Sequence, residues 1–179
     1  MELTLMELAL MELAKIDRWL HIMAGITWIG LLYYFNFVQA QAMGAAAADE
    51  DGPGPAAIGK YVAPRALLWF RWSALVTWLT GAYYLGAMKI FGAAFMLGIG
   101  SESLQITGIG IGAWLGTFML FNVWVLIWPN QKKILGMVEA TDEEKARAKR
   151  VAFLASRSNV MMSIPMLLFM QSFAHGLPM

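Results

Sequence analysis

Long apolar stretches almost free of charge dominate this chain, and they restrict what it can fold into more than any other feature. Four of them run over about residues 19–41, 66–88, 109–128 and 151–174. About 20 helical residues cross the hydrocarbon core of a bilayer, and a helix satisfies there the backbone hydrogen bonds that lipid leaves unmet. Hydrophobic residues make up 59% of the 179 residues and charged ones only 14%, against roughly a quarter charged in soluble domains. A soluble domain of this size could not hide so much apolar surface. The expected fold class is therefore an all-α integral membrane protein, a single domain over residues 1–179 with four transmembrane helices in a bundle.

The remaining composition removes several classes of function. A net charge of +1 argues against a nucleic-acid binder, which would carry a basic face. The absence of cysteine excludes disulfides, thiolate metal sites and the covalent attachment of c-type haem. Any haem must be held non-covalently. Lys15 and Arg18 precede an apolar run ending at Ala40-Gln41-Ala42, which imitates a signal-peptide cleavage site. The run exceeds the usual h-region of about 7–15 residues, so it reads as a retained span.

Between the spans, Gly44–Gly59 reads as an exposed loop, rich in Ala, Gly, Pro and acidic residues. Phe91–Ile99 is apolar but too short to cross, which fits an interfacial or re-entrant segment. Pro129 is expected to stop the third span. Thr141 and Glu144 form a capping box, opening a helix that continues into the fourth span with a kink near Pro165. The triplet Met-Glu-Leu at residues 1, 6 and 11 has a five-residue period that fits no helix face, and it is assigned no function. Lys and Arg positions set orientation. The side holding both termini carries three (Lys15, Arg18, Lys89), and the other carries nine, mostly within Lys132–Arg157. Lys15 and Arg18 pull the other way, since they sit directly before the first span. The balance predicts a multi-pass protein of the bacterial inner (cytoplasmic) membrane with both termini periplasmic.

The only two histidines, His21 and His175, stand at the start of the first span and the end of the fourth. An even number of crossings puts both at one membrane face. His21, Gly25, Trp28 and Leu32 recur at i, i+4, i+7 and i+11, one stripe of a helix. A glycine one turn from an axial histidine leaves room for a flat macrocycle, and two neutral imidazoles can ligate one b-type haem. The competing reading makes each histidine an interfacial side chain bonded to carbonyls or headgroups. A second polar group gathers at the opposite face: Arg71 in Trp69-Phe70-Arg71-Trp72, with Asn36, Asn122, Arg157, Ser158 and Asn159. It reads either as a pocket for an anion, a haem propionate or a planar substrate stacked on Trp69 or Trp72, or as inter-helix hydrogen bonding with snorkelling arginines.

Several of these stretches resemble a known family. Arg18-Trp19-Leu20-His21 with Gly25-Ile26-Thr27-Trp28-Ile29-Gly30, Trp69-Phe70-Arg71-Trp72 with Thr77-Trp78-Leu79-Thr80-Gly81, and Gly116-Thr117-Phe118-Met119 are similar to the membrane domain of the bacterial cytochrome c-type urate oxidases. So are Ile127-Trp128-Pro129-Asn130-Gln131-Lys132-Lys133 and Ser163-Ile164-Pro165-Met166-Leu167-Leu168-Phe169-Met170. The early histidine with Trp-x-Gly is also similar to small haem-binding membrane proteins of the protoporphyrinogen-oxidase type. The urate oxidase likeness implies a membrane-embedded redox domain passing electrons to a periplasmic cytochrome c, here as a stand-alone four-helix form without the cytochrome domain. The chain departs from the family pattern at Gly108–Gly112 and Ser158, where histidines are expected, at Ser73, where an acidic residue is expected, and at His175, displaced by one position. Those departures set urate oxidation itself below a haem protein or redox subunit. On this reading haem b is held by His21 and His175, with Gly25, Trp28 and Arg71 around it. The alternative is a non-catalytic scaffold of a larger respiratory complex, supported by small residues Gly108, Gly110, Gly112 and Gly116 suited to close helix packing. A homodimer is compatible with either.

Overall fold

The computed structural model describes residues 5–101 and 103–176, so the first Met-Glu-Leu triplet lies outside the described residues. These residues form helices and connecting turns, with no strand among them. We number five helices: α1 (residues 5–48), α2 (58–87), α3 (Phe91–Phe95), α4 (104–134) and α5 (Asp142–His175). Three are long and apolar enough to cross a membrane: Glu12–Ala48 of α1, Leu104–Ile134 and Asp142–His175. They contain the first, third and fourth expected spans. The second expected span falls in α2, which has the length of a span but not the hydropathy. Arg65, Arg71 and its hydroxyl residues dilute it.

Those hydroxyls are turned inward and bonded within the helix. Ser73, Thr77 and Thr80 are buried, and they donate to the carbonyls of Phe70 at 3.1 Å, Ser73 at 2.7 Å and Val76 at 2.7 Å. Such back-bonding satisfies a hydroxyl without a partner helix. It leaves the opposite face of α2 to Leu68, Trp69, Trp72, Leu79 and Tyr83, all exposed.

Two helix boundaries differ from the expectation, each for a local reason. The alanine run Ala45–Ala48 extends α1 beyond residue 41, as the best helix former should, and shortens the loop. Pro129 does not stop the third span. A proline removes one N–H and crowds the carbonyl four residues back. Here a π-helical stretch, Asn122–Ile127, precedes it, and the Trp128 N–H reaches the Val123 carbonyl instead. The wider turn lets α4 run on to Ile134. The same device precedes Pro64, where Ile58–Val62 is π-helical. Thr141 and Glu144 form the expected capping box, with N–H to side-chain distances of 2.9 and 3.2 Å. α5 continues through Pro165.

α1 packs along α2 and α4 along α5, while α1 touches α5 only lightly. The central core joins both pairs through Trp28, Leu32, Phe70, Met119, Val123 and Met166. The glycines of α4 serve these internal contacts. A Cβ on Gly108 would lie 2.7 Å from Ser172 Oγ and one on Gly112 3.3 Å from Met170, both on α5, while one on Gly110 would run into the Ala94 carbonyl of α3. The short apolar segment is thereby folded back as α3 against α4.

Candidate cofactor site

A cavity of about 660 Å³ opens between α1, α2, α4 and α5, lined almost wholly by apolar side chains. Arg18, His21 and Trp28 reach it from α1, and His175 from the end of α5. The two histidines thus share one cavity, although their helices make little direct contact. Trp28 lies at its deep end, two turns or about 10 Å along α1 from His21. Trp28 is only 2% exposed, and its Nε1–H has no acceptor among the described residues. Buried donors are normally paired, and this one is left unpaired among the described residues.

The His21 ring is held from α2. Its Nδ1 lies 2.8 Å from the Thr77 carbonyl oxygen and 3.3 Å from the Thr80 hydroxyl. A carbonyl only accepts, and the Thr80 hydroxyl already donates to Val76, so Nδ1 carries the proton. The neutral ring then keeps its lone pair on Nε2. Gly81 makes the seat possible: a Cβ there would stand 2.9 Å from His21 Cε1 and 3.1 Å from Nδ1. Histidine ligands of metals are commonly oriented in this way, by an N–H to a backbone carbonyl.

Not every residue singled out in the sequence is part of this site. Gly25 does not line the cavity; its missing side chain faces Thr77 Cγ2 at 3.7 Å, where α1 crosses α2. Gly81 makes room for the His21 ring itself, a different gap from the one expected at Gly25 for a macrocycle. Arg71 is also absent from the cavity wall, and it stacks on Trp128 at 3.8 Å. Nor does it join the asparagine cluster. Asn36 donates to Ser156 Oγ at 2.7 Å, Asn122 to Ser158 Oγ and Asn159 Oδ1 at 3.2 and 2.8 Å, and Asn159 to the Met119 carbonyl at 3.0 Å. That cluster bonds α1 and α4 to α5, and Arg157 lies apart over Phe153. Ser73 and Ser158, two of the departures from the family pattern, are bonded locally to the carbonyls of Phe70 and Ala155.

The donor set suits a haem. Among the described residues no three His, Cys, Asp or Glu side chains come together, so no multidentate cage for a bare ion is formed there. A haem asks for less: one or two oriented imidazoles, an apolar slot and a cation for its propionates. The cavity falls within the roughly 300–1,000 Å³ of small-molecule sites, and Arg18 supplies a cation beside His21. His175 is exposed, so His21 is the more firmly held of the two imidazoles.

A four-helix arrangement around a histidine-bearing apolar cavity defines the class, an all-helical protein with an internal apolar cavity. The family follows from the sequence: the urate oxidase N-terminal model matches residues 7–110 and 103–178, and the chain belongs to that family. Comparisons with curated proteins and with solved structures returned no match.

Proposed function

We propose that the protein is a membrane-embedded b-type haem protein that relays electrons towards an acceptor, such as a cytochrome c, on the periplasmic side of the bacterial inner membrane. The chain crosses four times, with α2 as the second span and both termini outside. The internally bonded hydroxyls of α2 and its exposed aromatic face support that crossing. The observation that carries the haem reading is the His21 ring, seated over Gly81 and bonded through Nδ1–H to the Thr77 carbonyl at the wall of a cavity it shares with His175. Haem, when bound, supplies a one-electron centre. His21 would offer it Nε2, with His175 as the second candidate ligand. Arg18 would neutralise a propionate, and Trp28, Met166 and Phe173 would exclude water, which sets the potential through local dielectric.

The second reading, a non-catalytic scaffold of a redox complex, drew its sequence support from the α4 glycines. Gly108, Gly110 and Gly112 are taken up by contacts within the chain, so the haem reading is preferred. Purified in mild detergent from haem-replete cells, the protein should show a Soret band, and His21→Ala should lose at least about nine-tenths of it, as loss of an oriented ligand implies. A colourless wild-type preparation without extractable haem would sink this reading. Urate consumption with a cytochrome acceptor would extend it to catalysis.

A further inference from the structure

Two sequence motifs that the cavity leaves unused meet away from it. Trp69-Phe70-Arg71-Trp72 of α2 and Trp128-Pro129-Asn130-Gln131-Lys132-Lys133 of α4 come together where the Arg71 guanidinium lies 3.8 Å from the centroid of the Trp128 ring. Lys132 Nζ sits 5.8 Å from the same centroid. Two cations therefore share one indole, an arrangement that like-charge repulsion opposes and an anion would relieve. Among the described residues, salt bridges engage Lys15, Lys133 and Lys145, and neither Arg71 nor Lys132 has a carboxylate within reach. The contrast with Lys133 is direct, since Glu144 stands 3.6 Å from its Nζ. Trp128 stands where the apolar run of α4 gives way to Lys132 and Lys133, on the side where most Lys and Arg are predicted to gather, and tryptophan favours headgroup depth.

We infer that Arg71, Lys132 and Trp128 form a binding site for the phosphate of an anionic phospholipid. The guanidinium fork matches two phosphate oxygens, the indole holds that fork in orientation, and Lys132 adds a second charge from the headgroup side. Basic pockets between membrane helices take anionic headgroups in this way. The inference rests on the membrane-crossing reading and is independent of the haem, because none of the three residues lines the cavity.

The test uses the full chain in nanodiscs of phosphatidylcholine with or without phosphatidylglycerol, followed by native mass spectrometry of the lipids retained. Wild type should retain phosphatidylglycerol preferentially. Arg71→Gln and Lys132→Gln should each lower that retention about fivefold, whereas Arg150→Gln, another exposed cation on the same predicted face, should not. Excess glycerophosphate should fail to displace the lipid. Lys132 lies beyond the apolar span, so its variant reports on the site even where Arg71→Gln folds poorly. Equal retention in wild type and Lys132→Gln would overturn the inference. So would an equal loss in Arg150→Gln, or release of the lipid by glycerophosphate, which would make the ligand a soluble phosphate.

Discussion

A single imidazole shows how the site is assembled. His21 owes its orientation to an acceptor and a gap on the neighbouring helix, the Thr77 carbonyl and the missing side chain of Gly81. Gly81→Val should push the ring off its seat at a cost of about 1–3 kcal/mol, typical of overpacking. Haem content should then fall several-fold while detergent-solubilised protein stays helical by circular dichroism; unchanged haem content would argue against the seat. Gly25→Ala, with only Thr77 Cγ2 at 3.7 Å to meet, should leave haem content unchanged. The sequence points to His21 because histidine is scarce and a helical stripe surrounds it. It does not point to Gly81, because i, i+4 spacing sees only one helix. Gly81 stands within the family-like stretch Thr77–Gly81, yet its role depends on α1 packing against α2, which periodicity in one segment does not encode.

At the scale of elements, prolines and glycines decide where helices continue and how closely they approach. Pro129 looks like a stop, but the preceding π-helical turn absorbs its missing N–H. The stop is legible as a residue, the accommodation only as a hydrogen-bond register. The capping box, by contrast, is fully local, and so Thr141 and Glu144 are readable directly. Thr141→Ala should cost about 1 kcal/mol, seen as a lower midpoint in thermal unfolding followed by tryptophan fluorescence. Gly110→Ala should cost more, about 1–3 kcal/mol, because its Cβ meets the Ala94 carbonyl, a backbone atom with little freedom to move. If Gly110→Ala matched the wild-type midpoint, the docking of α3 on α4 would be wrong.

For the whole molecule, hydropathy outlines the helices and charge asymmetry predicts their orientation. Three helices carry that signal outright, and α2 blurs it by placing hydroxyls inside and Arg71 against Trp128. The absence of native cysteine makes topology directly testable. Glu50→Cys and Glu139→Cys, in the two odd-numbered connections, should resist a membrane-impermeant maleimide in intact spheroplasts and react after permeabilisation. Labelling of either before permeabilisation would reverse the orientation. The proposed haem in the shared cavity depends on Nε2 of His21. The reduced-minus-oxidised optical spectrum of purified wild type beside His21→Ala tests it most directly. A sharp α band and Soret shift in the wild type, lost in the variant, is the expected result; a flat wild-type spectrum, or an identical one in His21→Ala, would contradict it.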